Sequence, residues 1–502
     1  MPFVQTSMRA SVPRRALTLP LWSLVVGVVL IYVGFLPPVV ISPDERSMLA
    51  VSVSALDGHI NVPAQMGSIG PDGRVYSTWY PLNSALALPL VAVGRAIANL
   101  TKLPVIYVTA PFAILLTILN ASLGTALVML LALRMGASAR AAFLAALTFA
   151  FGTVMLLYGR TFFADPLLAA LTALAGWTAL GNSRRSSVVE FAAGTLAVLA
   201  KPAGIVVGGV GAIFHLWRRE WSRALACASG TATGLALYAG YNFVRFGDPL
   251  RFGPKWDGFT LCCVREAVVG LLVSPGRGLI WYCPVAIIGL IGAVREARHG
   301  RPGGALVLGT FAGYFALHSV WGQWQGGWSW GPRLLVPVLP GLAAAAALGS
   351  RAWRRVLVAA AVSGLVINAP TLAWSYQRHL AFAYERGVGE AALIWSWADA
   401  PLTNGWPSAV AQYQQAAASD VGAVLNLAGT DDVVASKAEV FRVVPLWWWM
   451  LPLVGVPRAA GAVVSLILIG AGVLAFVRGW LALPVEEVAS SPVGDRYVPE
   501  AL

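Results

Sequence analysis

Apolar runs long enough to cross a bilayer recur along almost the whole chain, and nothing else constrains its fold as strongly. A spanning helix needs about 20 mostly apolar residues. Runs of that kind lie at 19–41, 106–133, 141–158, 166–182, 188–200, 203–217, 224–243, 278–294, 304–320, 334–350, 356–374 and 459–477. They predict an all-α polytopic membrane protein with about 12 transmembrane helices and both termini cytoplasmic. The pairs 141–158/166–182 and 188–200/203–217 are short and are expected to meet near the outer interface. Charged residues make up 11% of the 502 residues and hydrophobic ones 58%, with a mean hydropathy of +0.72. A soluble domain carries nearer 25% charge. The deficit excludes a soluble enzyme, a disordered chain and a nucleic-acid binder with solvated basic faces.

Charge sets the orientation. The net charge is +13, from 35 Lys and Arg against 22 Asp and Glu. Arg9, Arg14 and Arg15 precede the run Leu19–Ile41, which is too long for a signal-peptide core and is followed by no small-x-small cleavage site. This run reads as an uncleaved first helix entering from the cytoplasm. The run Asn83–Leu100 is apolar enough to span, yet it contains Arg95 and is followed by Lys102 and Pro104. If it spanned, the clusters Arg184/Arg185, Arg218/Arg219/Arg223, Arg295/Arg298/Arg301 and Arg351/Arg354/Arg355 would all lie outside. If it lies in the outer interface, they fall inside. The cytoplasmic side then holds 18 basic and 7 acidic residues, and the outer side 17 and 15. The positive-inside rule selects the interfacial reading.

The organisation follows. Residues 1–374 form the membrane region that holds the site. Its first extracytoplasmic loop, 42–105, carries a helix near 46–57 and the interfacial helix. Residues 375–458 form a second extracytoplasmic segment ending in Pro445-Leu-Trp-Trp-Trp-Met450, an aromatic run suited to the headgroup level. A last helix, 459–477, leads into a polar cytoplasmic tail, 478–502, expected to be disordered. Elaboration on one side only points to work done outside. Cys227, Cys262, Cys263 and Cys283 are too few for a disulfide framework and lack zinc-site spacing.

Ionisable groups beside membrane helices are costly, so they mark candidate sites. Asp44 and Glu45 follow the first helix in Ile41-Ser-Pro-Asp-Glu-Arg46. They suit a helix N-terminus, and equally a carboxylate general base at the membrane–water boundary. Asp165 stands on the same side in Tyr158-Gly-Arg-Thr-Phe-Phe-Ala-Asp-Pro166. It is read either as the partner of Arg160 or as a second carboxylate of the site. Lys201-Pro202 interrupts two apolar runs at outer-leaflet depth. Arg277 in Ser274-Pro-Gly-Arg-Gly278, Arg333 in Gly326-Gly-Trp-Ser-Trp-Gly-Pro-Arg333, and Arg245 reach the same level. Four cations from distant parts of the sequence suit a phosphate on a membrane lipid. Residues 321–330 pack four Trp and three Gly into ten positions. Trp faces stack on sugars, so Trp328, Trp330 and Tyr80 are sugar-groove candidates. His318 is expected to be satisfied locally. No Walker loop, dinucleotide fingerprint, metal motif or nucleophile elbow occurs in plausible context.

The acidic pair after the first helix, Gly73-Arg-Val-Tyr-Ser-Thr-Trp-Tyr-Pro-Leu-Asn83, Lys201-Pro202, Ser274-Pro-Gly-Arg-Gly278 and Gly326–Arg333 together resemble the GT-C fold glycosyltransferases that use polyprenyl-phosphate sugars. These are relatives of the dolichyl-phosphate-mannose protein mannosyltransferases and of the lipid A aminoarabinose transferase. The similarity in layout covers roughly residues 40–350. Pro81-Leu82-Asn83 stands where the family has Pro-Gly-Gln, and Lys201-Pro202 where it has Arg-Pro.

The resemblance implies a bacterial inner-membrane enzyme working on the periplasmic face. It would transfer a sugar, with inversion, from a polyprenyl phosphate to a hydroxyl of a glycan, lipid or protein. Asp44 would be the base, and Lys201, Arg277, Arg333 and Arg245 the donor-phosphate ligands. Glu45 and Asp165 would orient the acceptor or the cations. No metal or other cofactor and no nucleic-acid partner is expected. The alternatives are a transporter or flippase of lipid-linked sugars, and a protein like an O-antigen ligase or polymerase. The absence of a visible internal repeat and the one-sided charges favour the transferase.

Overall fold

The computed structural model describes residues 14–181, 185–251, 258–349, 351–417 and 446–484. The described residues are mostly helical, with a single short two-stranded ribbon as the sheet among them, as the apolar runs predict. Helix α1 (Arg14–Gly34) enters first. Then come α2 (Pro43–Ala55), a two-stranded ribbon β1 (Ser68–Ile69) and β2 (Val75–Tyr76), α3 (Pro81–Thr101) and α4 (Val105–Arg134). Residues 71–74 close the ribbon, with Gly73 at φ 76°, a left-handed conformation that glycine adopts without strain. Next are α5 (Ala139–Phe151), α6 (Met155–Tyr158), α7 (Asp165–Ala179), α8 (Ser186–Ala200), α9 (Ile205–Trp217) and α10 (Trp221–Phe246). They are followed by α11 (Val264–Val273), α12 (Leu279–Tyr282), α13 (Val285–Arg298), α14 (Pro302–Ser319), α15 (Leu339–Ala346) and α16 (Arg351–Asn368). Three short helices, α17 (Tyr376–Glu385), α18 (Glu390–Trp395) and α19 (Pro401–Ala417), precede the last, α20 (Arg458–Leu481).

Several expected spans are broken, and the breaks lie where proline or glycine interrupts the backbone ladder. The run 141–158 splits at Gly152 into α5 and α6. The run 278–294 splits at Cys283-Pro284 into α12 and α13. The run 334–350 begins as a 3-10 turn over Arg333–Val338, with Pro337 inside it, before α15. The first helix ends at Gly34 rather than Ile41, so the chain reaches Asp44 through seven non-helical residues, 35–41, and Ser42. Among the described residues, five helical stretches are long and apolar enough to cross a membrane: Leu17–Gly34, Pro81–Thr101, Val108–Arg134, Trp353–Leu372 and Arg458–Leu481. The tail beyond residue 484 lies outside the described residues, as do 418–445.

Packing between the helices relies on small residues, which let apolar helices approach closely in a bilayer. The two ends of the chain meet this way. A side chain on Gly27 of α1 would collide with the Phe476 ring of α20, and one on Gly472 with Ile31. The apolar centre runs through α4, α5, α7, α13 and α15, with Ala142, Phe149, Leu168 and Leu342 fully buried. At one end of this centre, Arg134 of α4 lies over the Trp177 ring of α7, 4.1 Å from its centroid. The other end is the segment 160–165, where α7 begins.

Helix α3 starts at that second end, because Asn83 Nδ2 donates to the Phe162 carbonyl at 3.0 Å. It then pairs with the first half of α4, placing Gly94 against Thr109 and Phe112. Its apolar length suits a span, whereas the charge partition places it in the outer interface. Thr101, exposed at the α3–α4 turn, separates the two readings. In a background with Cys262 and Cys263 changed to Ser, we expect Thr101→Cys and the loop variant Gln65→Cys to react with an impermeant maleimide in sealed right-side-out vesicles. His299→Cys should react only after permeabilisation. Protection of Thr101→Cys in sealed vesicles would make α3 a span and reverse every later loop.

Candidate active site

The site begins with a helix cap. Ser42 caps α2, its Oγ accepting from the Asp44 amide at 3.3 Å. Glu45 closes a capping box by accepting from the Ser42 amide at 3.0 Å. The other Glu45 oxygen accepts from the Phe162 amide at 2.6 Å. One buried carboxylate thereby ties the start of α2 to the segment that ends at Asp165. Glu45 is 4% exposed and does not face the cavity described below. The sequence expectation that it orients acceptor or cations is therefore replaced by a positioning role, as its oxygens are spent on backbone amides.

Arg160 proves not to be the partner of Asp165. Its guanidinium is buried and donates to the carbonyls of Leu156, Phe35 and Thr371 at 3.0, 2.7 and 2.9 Å. Asp165 is instead shared by two distant cations. Its Oδ1 accepts from Lys201 Nζ at 2.7 Å, and its Oδ2 accepts from Arg333 Nε at 3.1 Å. Arg333 Nη1 reaches on to Asp44 Oδ2 at 3.2 Å. The result is an alternating chain, Asp44–Arg333–Asp165–Lys201, built from α2, α7, the break between α8 and α9, and the turn before α15. The Arg333 guanidinium also lies over the Phe163 ring, 3.6 Å from its centroid. Lys201 is available because Pro202 ends α8 and leaves residue 201 extended, with φ −167°.

These four side chains line a cavity of about 640 Å³, together with Arg46, Trp79, Tyr80, His318, Trp321, Trp328 and Gln377. Its remaining walls are mostly apolar, with Ile205 of α9, Leu235 of α10 and Leu317 of α14 among them. Asp44 is mostly covered, with its side chain 20% exposed. Burial raises its carboxyl above the ordinary carboxylate range, and Arg333 offsets part of that rise.

The structure redistributes the other sequence candidates. Trp328 and Tyr80 line the cavity, and Trp328 stacks on Tyr384 of α17 at 5.2 Å between centroids. Trp330 does not line it. It is 1% exposed, and its Nε1 donates to Asn368 at 2.8 Å, which makes it a structural contact. Arg277 and Arg245 are also corrections. Arg277 is 2% exposed and gives its donors to the carbonyls of Gln325, Gly276 and Gly327. Arg245 donates to Ser77, Trp79 and Asn242. Neither faces the cavity, and both act through loops that do. Arg277 holds the glycine-rich turn before Arg333, and Arg245 holds the segment that presents Tyr80.

His318 differs from its sequence reading too. It lines the cavity, and its buried Nε2 has no hydrogen-bond partner among the described residues. Arg46 and Gln377 were not singled out from the sequence. Arg46 lies two residues after Asp44 on a new helix, which is a usable signal. Gln377 comes from the segment that follows residue 374, and nothing local marks it. Of that segment, α17 supplies Gln377 to the cavity wall, and the chain around it is tied to the turns beside the site. The Gly276 amide donates to the Ile394 carbonyl at 3.0 Å, and Trp374 packs edge-on against Trp330.

No family model and no curated protein matches the chain. Among solved structures, the chain is similar to ArnT from Cupriavidus metallidurans in its apo state. The identity is 17% and the TM-score 0.47, covering 92% of this chain and 76% of that one. The same protein bound to undecaprenyl phosphate gives 17% identity and a TM-score of 0.45 over the same shares of the two chains. The apo oligosaccharyltransferase of Archaeoglobus fulgidus gives 14% identity and 0.43, covering 82% of this chain and 58% of that one. Likenesses of this extent carry no weight for the chemistry, which rests on the geometry above.

The geometry separates scaffold from site by experiment. Removing the Arg277 or Arg245 guanidinium strands buried carbonyls, at about 1–3 kcal/mol for each group left unpaired. Arg277→Ala and Arg245→Ala should therefore lower the thermal midpoint of the detergent-purified protein by several degrees. The exposed-loop variant Arg74→Ala should leave it unchanged. An Arg277→Ala protein as stable as the parent would show that the arginine does not hold the 325–327 turn.

Proposed function

We propose that the chain is a GT-C type membrane glycosyltransferase, moving a sugar from a polyprenyl-phosphate donor to an acceptor hydroxyl on the extracytoplasmic face. The observation that carries this reading is the alternating chain Asp44–Arg333–Asp165–Lys201 at the wall of a largely apolar cavity. A cation pair held by one buried aspartate suits a phosphate, and apolar walls suit the lipid to which that phosphate is attached. Arg333 supplies a planar donor fork and Lys201 a compact charge, complementary ways of binding phosphate oxygens. Asp44 lies on the far side of Arg333 from Asp165, within reach of whatever the arginine holds.

In this reading Asp44 accepts the proton of the acceptor hydroxyl. The hydroxyl oxygen attacks the anomeric carbon from the face opposite the phosphate. The carbon–oxygen bond to phosphate breaks, its electron pair leaves with polyprenyl phosphate, and the anomeric centre inverts. Lys201 and Arg333 stabilise the charge that grows on the leaving phosphate, in a setting where little water competes. Asp165 orients both cations, and Glu45 keeps α2 and the 160–165 segment in register. Trp328 and Tyr80 offer faces for the sugar. The reading calls for no metal. The donor sugar and the acceptor are left to a screen of lipid-linked donors.

Proteoliposomes given a radiolabelled polyprenyl-phosphate sugar test the reading directly. Transfer to an acceptor supports it, and translocation without transfer would replace it with a transporter. Within a working assay, Lys201→Ala or Arg333→Ala should weaken donor use by about 10- to 100-fold, since a charge-assisted bond contributes roughly 1.5–3 kcal/mol. Arg185→Ala, in a cytoplasmic cluster, should turn over almost as the parent does. Asp44→Asn keeps the helix cap, because the cap is made by Ser42 and Glu45 and uses only the Asp44 backbone amide, but removes the proton acceptor. It should fold, bind donor and lose about 10²–10⁴ in transfer.

The pH profile follows from the burial of Asp44. The base works only when ionised. A carboxyl raised above the usual value near 4 therefore moves the acidic limb of kcat upward, and activity falls as pH drops through that raised pKa. The limb should disappear in Asp44→Asn. A fully active Asp44→Asn protein with the limb intact would move the base elsewhere.

A further inference from the structure

Cys262 and Cys263 stand apart from the chemistry above. Both are free and reach the surface, Cys262 exposed and Cys263 partly so, whereas Cys227 and Cys283 are buried. Neighbouring side chains in extended chain point to opposite faces. Here the two sulfurs are turned towards each other, with Sγ–Sγ at 2.7 Å. A local turn enforces this arrangement. The Cys262 amide donates to Thr260 Oγ1 at 3.2 Å, and α11 begins directly after Cys263.

The loop that carries the pair is stitched to the cavity wall. The Thr260 amide donates to the Val320 carbonyl at 2.7 Å, and the Gly322 amide donates to the Gly258 carbonyl. Phe259 packs edge-on against Trp321, 4.9 Å between centroids, and both rings line the cavity. Residue 262 is thus linked through Thr260 by two hydrogen bonds to Val320, next to Trp321 of the cavity wall.

We propose that Cys262 and Cys263 form a reversible vicinal disulfide that stiffens the 258–263 loop against residues 320–322 at the cavity mouth. The co-reactant is a disulfide-bearing oxidant, either small or carried on a protein. One thiolate attacks the oxidant disulfide and releases one of its sulfurs as a thiolate, leaving a mixed disulfide. The neighbouring thiolate then displaces the second sulfur. Both cysteines are oxidised, and the oxidant, reduced by the two electrons, takes up the two thiol protons and leaves as two thiols. Adjacent residues are about 3.8 Å apart at Cα, short of the usual disulfide separation of roughly 4.4–6.8 Å. A bond formed there is strained and exposed, the class that exchanges readily rather than serving as a permanent staple. The hydrogen bond from Cys263 also holds the Cys262 thiol below its ordinary range, which favours it as the attacking group.

The test uses the full-length protein in detergent, treated with oxidised glutathione and then alkylated under denaturing conditions without reductant. The peptide holding both cysteines should be 2 Da lighter and carry no alkyl group, and dithiothreitol should restore double alkylation. Cys262→Ser and Cys263→Ser should each abolish the mass loss while leaving the thermal midpoint unchanged. In hydrogen–deuterium exchange, amides at 320–322 should exchange at least about fivefold more slowly in the oxidised form. Double alkylation after oxidant, a stable glutathione adduct, or a crosslink between two chains would overturn the proposal. So would an internal disulfide that leaves exchange at 320–322 unaltered. None of these readouts depends on donor turnover, so the proposal stands or falls apart from the transferase reading.

Discussion

One buried carboxylate organises the candidate site of this protein. Asp165 is 1% exposed, yet it accepts from both Lys201 and Arg333. An unpaired charge at that depth would cost several kcal/mol, and its two partners would be as costly without it. Holding all three together fixes α7, the α8–α9 break and the turn before α15 at one level. Arg333 then carries the arrangement on to Asp44 and so to α2. Residues 44, 165, 201 and 333 are brought together by electrostatics that none of their own helices could satisfy.

That arrangement needs a frame that does not yield, and backbone-directed polar groups supply it. Glu45 holds two amides, and Asn83 holds the carbonyl of the same Phe162. Arg160, Arg245 and Arg277 spend their guanidinium groups on carbonyls of turns. Buried arginines of this kind substitute for secondary structure where the chain is irregular, because buried backbone groups must be paired. The site is thus irregular backbone locked by arginine, set into a bundle of helices packed through small residues.

The sequence was most legible where physics is local. Apolar runs located the helices, proline at 202 separates two of them, and proline at 284 explains why another breaks. Asp44, Asp165, Lys201 and Arg333 were all visible as charges out of place beside apolar runs. What could not be read was which arginine turns inward. Arg245, Arg277 and Arg333 look alike in sequence, each a lone cation at the end of an apolar run. The difference lies in the partners that folding brings to each, carbonyls for the first two and carboxylates for the third. Trp330 and Trp328 pose the same problem two residues apart, one spent on Asn368 and the other facing the cavity. Gln377 was invisible because its segment carries no periodic signal linking it to Asp44, Asp165, Lys201 or Arg333, which lie far from it in sequence.

The central claim is that the Asp165-held pair of cations is a lipid-phosphate site. A structure of the protein in lipid nanodiscs with a bound polyprenyl phosphate tests it most directly. The account predicts phosphate oxygens within about 3 Å of both Lys201 Nζ and the Arg333 guanidinium. The prenyl chain should leave along the apolar wall near Ile205 and Leu317. A phosphate bound elsewhere, with the Asp165 pairs intact and no lipid oxygen near Lys201 or Arg333, would contradict it.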